Sequence, residues 1–127
     1  MGYFKQEFRG VFYVKDYDKA ISFYRDILEL ESPYSWDDGP EDRGTKFQVA
    51  GGMLEVIHRE PERPQGPGTI MIEAWDVDAC YEVLSKKPGV RVFQQPVNEP
   101  YGIRKFQLLD PDDNLVVIYT NLSDLKR

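Results

Sequence analysis

The chain holds one imidazole, His58, and one thiol, Cys80. A single histidine cannot supply a nucleophile–base–orienter set around Cys80, and no Ser-His-Asp arrangement can be assembled. Cys80 shares helical spacing with Val77, Tyr81 and Leu84, so it belongs on an apolar helix face as a small core residue. It can form neither an internal disulfide nor a thiolate metal site alone. The remaining chemistry rests on carboxylates and a guanidinium. Glu55, Glu73 and Arg9 fall in strand-like stretches. A carboxylate can act as a general base, and an arginine can hold an oxyanion. Such a pair can equally neutralise itself across a pocket. His58 follows Glu55 by three residues, and odd spacing along a strand puts them on opposite faces. That gives His58 a surface or helix-packing role. Trp36 and Tyr101, read as loop aromatics, could stack on a planar or cationic ligand. Trp75 ends a strand and is expected in a core or an interface. Gly51-Gly52 is a hairpin turn and not a phosphate cradle.

The elements that must position these groups follow from patterning. Arg9 to Val14 alternates as a strand after a polar lead-in. Asp16 can cap a helix in which Tyr17, Ala20, Ile21, Tyr24, Ile27 and Leu28 repeat at helical spacing. Leu30 to Trp36 is a weaker strand interrupted by Pro33, so it belongs at an edge or carries a bulge. Asp37 to Gly44 is an acidic loop. Thr45 to Val49 and Met53 to His58 form a hairpin about Ala50-Gly51-Gly52. Arg59 to Gly68 holds three prolines and two glycines and is the linker. Thr69 to Trp75 is then a strand, Asp76 caps a second helix, Val90 to Gln94 is a strand, and Ile103 to Leu109 and Leu115 to Tyr119 flank an Asp110-Pro-Asp-Asp-Asn114 turn.

This order repeats. Asp16-Tyr-Asp-Lys-Ala20 returns as Asp76-Val-Asp-Ala-Cys80, 60 residues on. Lys46-Phe-Gln-Val49 returns as Lys105-Phe-Gln-Leu108 after 59 residues, and Met53-Leu-Glu-Val-Ile57 as Leu115-Val-Val-Ile-Tyr119 after 62. The fold class is therefore α+β: two βαβββ modules in tandem, forming a curved, bowl-like mixed sheet with the helices outside. Module 1 spans about 9–58, the linker 59–68 and module 2 about 69–120, within one domain of residues 1–127. Strand parity predicts Arg9, Val11, Tyr13, Phe47, Glu55, Ile57, Thr69, Met71, Glu73, Val117 and Tyr119 on the concave face, an apolar and aromatic lining suited to a small molecule.

Composition narrows the partners. The 127 residues carry 16 basic and 22 acidic side chains, a formal net charge of −6. No basic face is visible for nucleic-acid phosphates. No apolar run is long enough to span a bilayer, and no basic-then-apolar leader is present, which leads us to expect a cytoplasmic protein without a membrane partner.

The duplicated order, with Asp-Tyr-Asp-Lys-Ala-Ile-Ser-Phe-Tyr-Arg-Asp-Ile-Leu-Glu-Leu (16–30) and Asp-Pro-Asp-Asp-Asn-Leu (110–115), resembles the vicinal oxygen chelate superfamily of glyoxalases, extradiol dioxygenases and bleomycin resistance proteins. Glu99-Pro-Tyr-Gly102, with Arg104, Phe106, Leu108 and Asp110-Pro111, is similar in pattern to the bleomycin-resistance members. In metal-dependent members, ligands come from the first and last strands of each module. The matching positions here are Arg9, Glu55, Thr69 and Val117. Only Glu55 is a metal donor, so the resemblance implies no bound metal and no cofactor. It also implies a homodimer. The expected function is metal-free binding of a cationic or aromatic drug or metabolite, through Arg9, Tyr13, Trp36, Phe47, Glu55, Thr69, Met71, Glu73, Tyr101, Arg104, Val117 and Tyr119. The alternatives are an atypical glyoxalase-like lyase or isomerase using Glu55 and Arg9 as catalytic residues, a metal-dependent lyase or dioxygenase with unrecognised ligands, and a regulatory or immunity module whose bowl is filled by its own side chains.

Overall fold

The computed structural model describes residues 2, 3, 5, 7–58 and 66–125. The chain divides into two compact units, Met1–Gln65 and Gly66–Arg127. Most of the expected linker, residues 59–65, lies outside the described residues.

The first unit runs β1 (Arg9–Tyr13), α1 (Tyr17–Ser22), β2 (Glu31–Asp37), β3 (Arg43–Val49) and β4 (Gly52–His58). Asp16 has extended backbone and accepts a hydrogen bond from Lys19 N–H at 3.1 Å, capping the first turn of α1. The helix continues as a π-helical segment, Phe23–Ile27, in which Leu28 N–H reaches back five residues to the Phe23 carbonyl at 3.0 Å. Ala20, Ile21, Phe23 and Tyr24 are buried, as the helical spacing requires. They pack over Phe12, Phe47, Leu54 and Val56, with the Tyr24 and Phe47 rings 5.8 Å apart. Each large side chain buried there stabilises the unit by about 1.5–3 kcal/mol before its lost conformational entropy is counted.

The strands lie in the order β1-β4-β3-β2. β1 runs parallel to β4, and the other pairs are antiparallel. β2 is the edge strand, with a register shift between Glu31 and Tyr34 where Pro33 cannot donate to the ladder. It has the expected seven residues shifted by one, and β3 starts two residues earlier than expected, so the acidic loop shrinks; Trp36 lies within the strand and is not a loop aromatic.

The second unit repeats the plan with β5 (Thr69–Glu73), α2 (Val77–Leu84), β6 (Arg91–Asn98), β7 (Ile103–Leu109) and β8 (Leu115–Asn121) in the order β5-β8-β7-β6. Asp76 accepts from Asp78 and Ala79 N–H at 3.1 and 3.2 Å and caps α2. Val77 and Leu84 are buried, Cys80 is half-buried, and Tyr81 meets Phe106 edge-on at 5.1 Å. Trp75 lies past the end of β5 and is 99% exposed, so it is not a core residue of the chain. The Asp110 turn is the tightest polar feature. Asp110 is fully buried and accepts from Asp112 N–H, Asn114 N–H and the Asn114 amide at 2.9, 2.8 and 2.9 Å. Asn114 Oδ1 in turn accepts from Gly68 N–H at 2.6 Å, which fixes the start of β5 beside β8.

Candidate functional site

Each sheet has one face covered by its helix and one free of it. Hydrogen-bond register decides which residues share a face. In the first unit Val11 pairs with Glu55, Tyr13 with Ile57, Lys46 with Glu55, Gly44 with Ile57, Tyr34 with Lys46 and Trp36 with Gly44. The helix-free face therefore carries Arg9, Val11, Tyr13, Tyr34, Trp36, Gly44, Lys46, Glu55 and Ile57. Phe47 pairs with Leu54, is fully buried and packs on Tyr24. It belongs to the core under α1, and the expectation that it lines the ligand face is corrected. His58 also lies on the helix side, stacked on Tyr17 at 6.2 Å, in agreement with its odd spacing from Glu55.

Two groupings stand on the helix-free face of the first sheet. At its β1 side, Arg9 Nη1 donates to Glu55 Oε1 at 3.2 Å and Nη2 to Glu7 Oε1 at 2.7 Å. The Glu55 side chain is 12% exposed and that of Arg9 30%. The hydrogen bonds to Glu7 and then Glu55 hold the Arg9 pKa above its already high ordinary value, so the guanidinium is a permanent cation. At the β2 edge, Trp36 donates its indole N–H to Asp42 Oδ1 at 3.0 Å. Its ring occupies the space above Gly44: a Cβ there would lie 2.1 Å from Cη2. The Tyr34 ring is 6.1 Å from that of Trp36, tilted by 31°, and is 54% exposed. Lys46 Nζ stands 5.5 Å over the Tyr34 ring.

In the second unit the helix-free face carries Thr69, Met71, Glu73, Lys105, Gln107, Val117 and Tyr119. Val117 is buried, whereas Thr69, Met71 and Glu73 are exposed. Lys105 Nζ meets Glu99 Oε2 at 3.2 Å and the Tyr101 hydroxyl at 3.3 Å, while the Tyr101 ring is 66% exposed. The contact with Tyr101, and then Glu99, raises the Lys105 pKa. Glu73 accepts from the Asn121 amide at 3.2 Å. Arg104 pairs across the ladder with Thr120 and turns to the helix side. There its Nε and Nη2 grip Asp78 at 3.0 and 3.1 Å, and Nη1 donates to Asn98 at 3.0 Å. With Asp76, Leu122 and Leu125 these residues line a polar groove of about 430 Å³. Arg104 thus stands on the helix side of the second sheet, apart from Lys105, Val117 and Tyr119, and anchors α2 through Asp78.

The donor set at the metal-ligand positions can be tested on chemistry. In the first unit one position is the Arg9 cation, and the carboxylate at the other, Glu55, is engaged by that cation. In the second unit the positions are Thr69 and Val117, a weak donor and a hydrocarbon. Among the described residues, no three histidine, cysteine or acidic side chains come together in a metal-binding group. These residues do not fit a divalent ion.

Tyr34 and Lys46 were not singled out from sequence. Their signal was available in the hairpin: with Ala50 and Gly51 as a two-residue turn, Glu55 must oppose Lys46, which puts Lys46 and not Phe47 on the Glu55 face.

Two βαβββ units with helix-free faces, built on a repeated capping and hairpin pattern, define a class, and comparison with known proteins identifies it. Residues 9–118 match the family model of the Glyoxalase/Bleomycin resistance protein/Dioxygenase superfamily, and the chain belongs to that superfamily. It is 30% identical over 122 residues to an uncharacterized Bacillus subtilis (strain 168) protein, YraH, covering 86% of this chain and 93% of YraH. A superfamily member from Sphaerobacter thermophilus DSM 20745 matches with a TM-score of 0.74 and 25% identity, covering 93% of this chain and 98% of that one. TnmS3, an antibiotic binding protein from Streptomyces sp. CB03234, shares the fold with a TM-score of 0.78 and 24% identity, covering 95% of this chain and 99% of TnmS3.

Proposed function

We propose that this chain is a metal-free binding protein for a planar aromatic small molecule, held on the helix-free face of the first sheet. The observation that carries the proposal is the Tyr34–Trp36 pair. Trp36 is not a free surface ring: Asp42 fixes its indole N–H, and Gly44 leaves room for the ring to lie against the sheet. Such a preset platform costs little further side-chain entropy on binding, and aromatic stacking supplies about 1 kcal/mol beyond area burial. The antibiotic binding of a fold neighbour, TnmS3, is consistent with this use of the scaffold. The substitution of metal ligands by Arg9, Thr69 and Val117 supports a function that does not depend on a metal. The chain acts as a homodimer in the cytoplasm, and the exposure of Met71 (56%) and Val97 (37%) on the second sheet is in keeping with a protein partner there.

The test is a thermal-shift screen of chelator-treated protein against neutral, acidic and basic aromatic compounds. Stabilisation by a subset of them, growing with concentration and lost in Trp36→Ala, is expected. A flat response across the panel would sink the proposal. The competing reading, a lyase or isomerase, uses the Arg9–Glu55 pair. A Glu55→Gln variant that retains binding but loses turnover of the bound compound would establish it.

A further inference from the structure

We infer that the aromatic ligand carries an acidic group, and that Lys46 receives it; this rests on the aromatic-binding reading above. The net charge of −6 alone would favour a cationic ligand, but at the platform the Asp42 carboxylate is already bound by the Trp36 indole N–H, and the cation over the Tyr34 ring is Lys46. The internal repeat supplies a control. Lys46 and Lys105 occupy equivalent positions, each starting a Lys-Phe-Gln motif in the third strand of its unit. Lys105 is neutralised by Glu99 at 3.2 Å and hydrogen-bonded to Tyr101. Lys46 makes no ion pair with any described residue. Its cross-strand neighbour, Glu55, is turned to Arg9 instead, and Glu7 is bound to the same guanidinium. Glu55 Oε1 is thus engaged by Arg9 and Asp42 Oδ1 by the Trp36 indole N–H, while the Lys46 ammonium stands 5.5 Å over the Tyr34 ring, itself 6.1 Å from the Trp36 ring.

This is the arrangement an aromatic carboxylate or phenolate needs. Its ring stacks on Tyr34 and Trp36, and its oxygen replaces water at the ammonium, giving a charge-assisted hydrogen bond. A cationic ring would instead meet Lys46 as a like charge. The ligand class is thus an aromatic acid.

Three probes of one shape separate the contributions: 2-naphthoate, 2-naphthylmethanol and 2-naphthylmethylammonium. Binding is followed by the Trp36 indole N–H resonance in isotope-labelled protein, assigned with Trp36→Phe. The naphthoate is expected to bind about fivefold or more tighter than the ammonium probe, with a preference that shrinks as salt is raised. Lys46→Gln should weaken the naphthoate about fivefold and the alcohol less than about twofold, and Lys46→Arg should restore the naphthoate. Lys46 makes no ion pair with the described residues and its contact with the Tyr34 ring is at the surface, so loss of the fold is not expected; the circular dichroism spectrum of each variant checks this. Equal or tighter binding of the ammonium probe, or an unchanged acid-to-amine ratio in Lys46→Gln, would overturn the inference. If the alcohol binds while the acid has no advantage, the anion claim fails and the aromatic platform stands. If no probe moves the Trp36 resonance, both fail.

Discussion

Gly44→Ala is the sharpest single perturbation of the proposed platform. The added Cβ would lie 2.1, 2.3 and 2.6 Å from Cη2, Cζ2 and Cζ3 of Trp36. Ordinary carbon–carbon contact needs about 3.5–4.0 Å, so the ring must move by about 1.5 Å. That displacement pulls the indole N–H from Asp42, a bond now 3.0 Å long and worth about 1 kcal/mol. Against this, alanine removes the entropy cost of glycine in a strand, about 0.5–1 kcal/mol. The two nearly cancel, so global stability is predicted to change by less than about 1 kcal/mol while the aromatic platform is lost. Urea unfolding measures the first quantity. Trp36 fluorescence in a Trp75→Phe background measures the second, because Trp75 is 99% exposed and would otherwise contribute its own emission. The expected outcome is a red-shifted Trp36 emission and at least about tenfold weaker binding of 2-naphthoate, with two or more lost stacking contacts. Unaltered probe affinity in a variant whose Trp36 emission has shifted would refute the idea that the ring's seat on Gly44 matters for binding.

Other predictions follow from the same geometry. Asp110→Ala should destabilise the chain by about 3 kcal/mol in urea unfolding, because it orphans the buried Asn114 N–H, the part-buried Asp112 N–H and the Asn114 amide. Asp76→Ala removes a cap that satisfies two N–H groups and should cost about 1 kcal/mol, with Asp16→Ala costing no more. The raised pKa of Lys105 means that the folded state binds its proton more tightly than the unfolded state. Its stabilising effect is present at neutral pH and is lost as pH rises through the raised value, so the stability gap between wild type and Lys105→Gln should be larger at neutral than at strongly alkaline pH. Burial raises the Cys80 thiol pKa, so its alkylation by iodoacetamide at neutral pH should be much slower than in urea.

The βαβββ duplication was legible because its signals are local. Asp16 and Asp76 cap where a short polar side chain before an apolar helical pattern must cap, and Asp110 closes the turn that Pro111 and Asn114 announce. Faces were harder to assign. Alternation along β3 is ambiguous on its own, since Thr45, Lys46 and Phe47 permit either parity. Only the two-residue turn at Ala50-Gly51 ties Lys46 to Glu55 and sends Phe47 into the core. Tyr34 was hidden by the register shift at Pro33, which breaks the period-2 count along β2. Arg104 was assigned by likeness of pattern and not by parity, and its bidentate partner, Asp78, lies 26 residues away on a helix. The Arg9–Glu55 pair was legible because strand parity put both residues on one face; the parallel pairing of β1 with β4, which the sequence does not state, brings them into contact.

The central claim is metal-independent binding of a planar aromatic molecule at Tyr34 and Trp36. Its most direct measurement is a two-dimensional amide NMR titration of chelator-treated, isotope-labelled protein with 2-naphthoate, repeated after addition of a divalent metal. Saturable shifts centred on the Trp36 indole and the amides of Tyr34, Gly44 and Lys46, unchanged by the metal, are expected. Shifts that appear only after metal is added, or that centre on residues remote from Trp36, would contradict the claim.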